Sequence, residues 1–345
     1  NLPFIEIDET FECKIYECQT CGANISVTDT EASTFCIYCG NPTVIFSRIG
    51  KLKKPDCIIP FKITKDEALY YARTYLGDSF LIPEEIRNLK AGNIRGIYVP
   101  YYITSVECDG SAIFEVVEKK NSKNSQYNYY KLSGFVNLPN VTTDACKRLN
   151  DHLSQRLEPF DIKKAVPFDE DYLVGFYSDI ADIKKKDSTQ LAQKRAREAY
   201  NEEMMNSIPG SSKKIVQERY RAAVYEDPQT AFLPAWFLTF RYKDRPYTIT
   251  INGQTGKTVG GVPWRKRLFV SLTAILSIIF TALISVVAVP FLMETENISI
   301  FIFVIIFSII TSMLGIGKIR KVLAAIRRTT ENSLVSFVDK RQKGE

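Results

Sequence analysis

Histidine is almost missing from this sequence: His152 is the single one in 345 residues. A Ser–His or Cys–His couple, a His-based metal site or a His acid/base could be built only around it. Its surroundings, Lys147-Arg148-Leu149-Asn150-Asp151, are polar and hold no metal-ligand pattern. There is no H-E-x-x-H, and no glycine-rich loop opens a helix after a strand, so zinc-protease and phosphate-loop chemistry are excluded. A strong charge of either sign is lacking too. The 45 basic and 39 acidic side chains leave +6, too mild on its own to argue for nucleic acid. With 45% hydrophobic and 24% charged residues, neither disorder nor an all-membrane bundle describes the whole chain, and its length predicts two or three domains. The first residues, Asn1-Leu-Pro-Phe-Ile-Glu-Ile-Asp, carry neither the basic nor the apolar region of an export signal.

Four of the eight cysteines form two pairs, Cys18-Gln-Thr-Cys21-Gly22 and Cys36-Ile-Tyr-Cys39-Gly40. Each pair sets two thiolates on a tight turn whose glycine lets backbone amides point at sulfur, and two such turns can close a tetrahedral metal site. Cys18, Cys21, Cys36 and Cys39 are therefore the expected ligands of one structural Zn2+. The alternative, two disulfides, would need an exported protein. Cys13, Cys57, Cys108 and Cys146 have no paired spacing and read as isolated thiols.

The patterning predicts an α+β protein with an N-terminal zinc ribbon (1–50), a duplicated helix-plus-hairpin region (51–160 and 161–263), a two-helix transmembrane hairpin (264–317) and a basic tail (318–345). The first copy runs from Ile59-Pro60-Phe61 through a helix at 65–76 and a short helix near Pro83 to Ile97-Tyr-Val-Pro100-Tyr-Tyr-Ile103, with a turn at Asp109-Gly110. The second runs from Val166-Pro167-Phe168 through a long helix at 188–205 to Phe232-Leu-Pro234-Ala-Trp-Phe-Leu238, with a turn at 243–246. Prolines near the strand starts suggest edge positions. Asp187-Ser-Thr-Gln190 reads as a capping box, and Asn252-Gly253-Gln-Thr-Gly256-Lys257 as a structural turn.

Two apolar runs, Leu268 to Met293 and Ile298 to Gly317, contain no ionisable residue and are long enough for a hydrocarbon core of about 30 Å. Arg265-Lys266-Arg267 before them and Lys318, Arg320, Lys321, Arg327 and Arg328 after them predict a cell-membrane protein with two spans and both termini cytoplasmic. Ile319, Val322, Leu323 and Ile326 continue at helical spacing, suited to an extension or to an anionic membrane surface.

What chemistry remains points away from an enzyme. Four cysteines close a zinc with no position for water, and acidic groups such as Asp169-Glu170-Asp171 suit caps or surface. Nucleic acid is the runner-up. Between Cys18 and Cys39 stand Asp29 and Glu31 but no lysine or arginine; the basic residues are Arg48, Lys51, Lys53 and Lys54, then Lys184 to Lys186, Lys194, Arg195 and Arg197.

A resemblance adds to these readings. Cys18-x-x-Cys21-Gly-Ala, Cys36-x-Tyr-Cys39-Gly-Asn-Pro, Lys54-Pro-Asp56-x-Ile-Ile-Pro60-Phe, Val166-Pro-Phe-Asp-Glu-x-Tyr172, Leu233-Pro-x-Trp236 and Ile251-Asn-Gly-Gln-Thr-Gly-Lys257 resemble the bacterial TFIIB-type zinc-ribbon membrane proteins. That group includes YdjG-like proteins associated with a phage-shock-protein-A homologue. The resemblance implies a membrane-anchored scaffold or adaptor facing the cytoplasm. Its implied partners are membrane proteins and peripheral membrane-stress proteins at the lipid bilayer, in homo- or hetero-oligomers. No catalytic residue transfers; the four cysteines do.

Overall fold

Alternating apolar and polar residues between Thr10 and Gly260 become strands, and most of them join one sheet. The computed structural model describes residues 9–27, 35–42, 44–77, 81–87, 94–121, 124–146, 151–210, 212–243, 245–265, 267–276, 279, 282 and 286. In chain order the strands are β1 (Thr10–Cys18), β2 (Asn24–Val27), β3 (Val44–Lys53), β4 (Cys57–Ile58), β5 (Ile94–Asn121), β6 (Asn124–Asp144), β7 (Val166–Pro167), β8 (Tyr177–Asp179), β9 (Ser212–Ala223), β10 (Gln229–Tyr242), β11 (Arg245–Asn252) and β12 (Thr258–Gly260). The helices are α1 (Lys65–Leu76), α2 (Glu84–Arg87), α3 (Asp151–Leu157) and α4 (Lys185–Ser207).

The expected arrangement of separate duplicated α+β units is corrected by this topology. The twelve strands form a single mixed sheet of order β12-β11-β10-β5-β8-β2-β1-β3, with β4, β6, β7 and β9 pairing to its sides. The two Pro-aromatic segments do not mark two domains; they lie side by side, antiparallel, with Phe232 opposite Pro100 and Pro234 opposite Tyr98. Neither is an edge strand. Each proline stands where its strand changes neighbours: β5 pairs with β8 up to Tyr98 and with β6 from Tyr101, while β10 pairs with β4 up to Phe232 and with β11 from Ala235. A residue without an N–H fits such a handover without breaking a ladder.

Asp109-Gly110 makes no turn. β5 runs straight through it, and Gly110 is needed because a Cβ there would meet the Arg219 carbonyl oxygen at 2.5 Å and the Tyr220 Cα at 2.8 Å. The capping box also falls elsewhere. α4 begins at Lys185 after an N-cap, Lys184, that makes no side-chain cap, whereas Thr64 and Glu67 form a reciprocal box at the start of α1. The turn at Asn252 is as expected: Gly256 has φ 76° and donates its N–H to the Asn252 carbonyl.

Two regions result. The body holds β1–β4, the first part of β5, β7, β8 and β10–β12, with α1 packed through Ala68, Ala72 and Leu76 against Trp236, Leu238, Ile249 and Ile251. The arm holds the remainder of β5 between β6 and β9. Its inner face, Val106, Cys108, Ala112, Phe114 and Val116, is covered by Ala192, Ala196, Tyr200 and Met204 of α4. Small alanines let the helix approach, and Tyr200 donates to the Gly110 carbonyl at 2.6 Å.

The membrane hairpin and the localisation built on it are corrected as well. Among the described residues no helix is long and apolar enough to cross a membrane. Of the described residues, 267–276 are helical, as are 279, 282 and 286. The run Ile298 to Gly317, the loop at Glu294 to Asn297 and the tail 318–345 lie outside the described residues.

Candidate metal centre

The cysteine pairs sit where strands end. β1 carries Cys18 into a turn that returns as β2, and Gly22, at φ 62°, donates its N–H to the Cys18 carbonyl at 2.7 Å. The second turn repeats this geometry: Gly40 has φ 67° and donates to Cys36 at 2.8 Å, after which the chain enters β3 on the other side of β1. Positive φ makes glycine the natural residue at both places. Asn41 Nδ2 donates to Thr20 Oγ1 at 2.7 Å and ties one turn to the other.

These turns bring four buried sulfurs together. All lie within 4.8 Å of one another, with 3.6 Å separating Cys18 from Cys39 and Cys21 from Cys36. A disulfide requires about 2.05 Å. A tetrahedron of sulfurs around a metal at about 2.3 Å has edges of about 3.8 Å. The spacing fits a tetrathiolate site and excludes bonded pairs. Hydrogen bonds led by Cys21 pull the Cys18 thiol down, whereas those with Cys18 push the Cys21 and Cys36 thiols up. Four cysteines so placed could hold a metal ion such as zinc. Among the described residues they are the one such group of His, Cys, Asp or Glu side chains.

The centre is fused to the sheet. Its four cysteines share a core with Ile97, Val99, Tyr101, Leu233, Ala235 and Phe237 of the central strands. Tyr38, between Cys36 and Cys39, packs edge-on against Phe237 at 5.8 Å and gives its hydroxyl to Asp179 Oδ2 at the end of β8. Thr239 donates to the Ile37 carbonyl, and Thr248 donates to the Tyr38 carbonyl at 3.2 Å.

Sequence reading missed that buried polar set. Asp179 also accepts from Cys146 Sγ at 2.7 Å and from the Ile180 N–H at 2.8 Å. The tyrosine inside the second C-x-x-C was its only visible sign. Cys13, Cys57 and Cys108 stay apart from the centre. Cys13 is buried in the sheet, its thiol pushed up to about 11 by burial; Cys57 is half-buried on β4; Cys108 lies in the arm core. His152 lies in α3.

Elsewhere, the adjacent Lys53 and Lys54 and the distant Lys185 border one cavity of about 180 Å3. Lys54 reaches Glu170 at 3.4 Å and Glu9 at 3.9 Å, and Lys185 reaches Asp227 at 3.8 Å. Arg195 pairs with Glu158 at 3.1 Å, and burial raises the Glu158 carboxyl in spite of that partner.

No family model matches the chain, and no solved structure matches it. Among curated proteins it is similar to the "Uncharacterized protein YdjG" of Bacillus subtilis (strain 168). The two are 23% identical over 228 residues, which is 64% of this chain and 67% of that protein. The comparisons thus bear on the YdjG side of the motif resemblance and leave the wider zinc-ribbon family without a match.

Proposed function

We propose that the protein is a scaffold or adaptor without catalytic activity, whose Cys18, Cys21, Cys36 and Cys39 hold one structural Zn2+ in a ribbon built into its main sheet. The observation that carries this reading is the closed, buried tetrathiolate geometry. Four protein sulfurs fill a tetrahedral zinc and leave no position for water or substrate. When bound, the ion would supply a cross-link between the two turns, not a Lewis acid. Binding would then come from exposed faces of the sheet. The motif resemblance favours protein partners, with peripheral membrane-stress proteins as the class to test; the two-span anchor is not part of this proposal.

Nucleic acid is the weaker alternative. It draws on the three lysines around one cavity, and the carboxylates beside Lys54 and Lys185 weaken their claim on phosphate. The deciding experiment is a cross-linked pull-down with the full chain, run with and without nuclease, beside a salt-dependent DNA-binding titration. Nuclease-insensitive protein partners are the expected result. Submicromolar DNA binding that falls steeply with salt would overturn the proposal.

A further inference from the structure

Every open sheet needs its edges managed, because unpaired strand N–H and C=O groups recruit other strands. β12 is three residues long. β3 carries Arg48, Lys51 and Lys53 in ten residues, and its register with β1 is broken between Ile15 and Tyr16. β9 carries Lys213, Lys214, Glu218, Arg219 and Arg221, with a register shift between Ile113 and Phe114 of its neighbour. Short length, cations and bulges are the usual protections.

β6 has little of this along its middle: it is 21 residues long, and Lys131 is the one cation there. Among the described residues β5 is its strand neighbour on one side, and the other side carries no strand. Its register runs unbroken from Leu138 opposite Val106 to Tyr127 opposite Val117. Lys131 is the only formal charge in the 21-residue strand before its last residue, Asp144. Apolar groups line both faces of this edge. Tyr127, Tyr129 and Phe135 are 52%, 62% and 63% exposed on the outer face, and Tyr130, Leu132, Val136 and Leu138 are only half-buried against the arm core.

We propose that β6 pairs antiparallel with β6 of a second copy of this chain, joining two three-stranded arms into one continuous six-stranded sheet. Edge charge makes β6 the strand on which a second copy can pair: the cations on β3 and β9 would oppose a like strand, whereas β6 meets another β6 with a single lysine on each copy. One two-fold register satisfies the side chains. With Leu132 on the axis, Tyr129 faces the second copy's Phe135, Tyr130 faces Gly134, and Lys131 faces Ser133 instead of another lysine. Cross-strand aromatic pairs on the open outer face are favourable in sheets. This inference is independent of the adaptor reading and of the metal.

Sedimentation of the full chain tests it. The wild-type protein is expected to dimerise, and the exposed double substitution Tyr129→Glu/Phe135→Glu to weaken the dimer about a hundredfold, because it replaces two aromatic pairs with two like-charge pairs. Circular dichroism checks that this variant keeps its fold. Mixing it with Tyr129→Lys/Phe135→Lys, itself monomeric, restores dimers that contain one of each chain. A monomeric wild type overturns the proposal, as does a dimer indifferent to the glutamates or a folded pair of variants that fails to combine.

Discussion

The two ends of the long β5–β6 ribbon reach stability by different means. Near Ile94, β5 lies deep in the body with β10 on one side and β8 on the other, and the nearby core includes four cysteines. Beyond Val106 the same strand is one of three, covered on one face by α4 and open on the other. The body holds four buried sulfurs spaced so that a metal ion could cross-link them. Among the described residues the arm has no such cluster of sulfurs and rests on packing and hydrogen bonds under α4: alanines that admit the helix, Phe114 filling the space beneath it, and Tyr200 donating to the Gly110 carbonyl. The contrast is between an end of the sheet where four thiols converge and an end where a helix covers one face and leaves the other open.

Breaking the staple should have the largest effect. Cys36→Ser is expected to remove zinc and to cost more than about 5 kcal/mol, comparable with the whole stability of an ordinary domain. Thermal unfolding with metal analysis would check this; a zinc-free variant as stable as wild type would show the cysteines to be ordinary core residues. In the arm, Phe114→Ala should cost about 3–5 kcal/mol through the cavity it leaves, while zinc content stays unchanged. Denaturant titration at both ends of the ribbon would sharpen the comparison.

A smaller loss, about 1–3 kcal/mol, is expected from Tyr38→Phe, which leaves Asp179 short of a buried donor. The metal should remain bound but leave faster to a chelator, measured with a colorimetric zinc indicator. The smallest effect concerns alkaline pH. Below about pH 9 the Cys13 thiol is protonated in folded and unfolded chains alike; the unfolded chain then loses its proton first, because burial raises the folded value from 9.0 to about 11. Stability should therefore fall between these values, and Cys13→Ala should flatten that slope in denaturant titrations at stepped pH.

What could be read beforehand was local. Two C-x-x-C-Gly turns carry their geometry in five residues each, and α1 announces itself through Thr64, Glu67 and the spacing of Ala68, Ala72 and Leu76. What could not be read was pairing between distant segments. Gly110 looks like a turn until Tyr220 is known to lie against it, and Pro100 and Pro234 look like edge residues until the change of neighbours is known. Asp179 gives no sign in sequence that it will meet Tyr38 and Cys146. The strand alternation that suggested two small units was present, but alternation states which face is buried and not which strand comes next.

The most direct test of a metal-stapled body beside an unstapled arm is hydrogen exchange on the full chain, with and without a chelator strong enough to strip zinc. Removal of the metal is expected to release protection in β1, β2, β8 and the central residues of β10 while α4 and β9 keep theirs. Equal loss of protection in both regions, or none in either, would contradict the account.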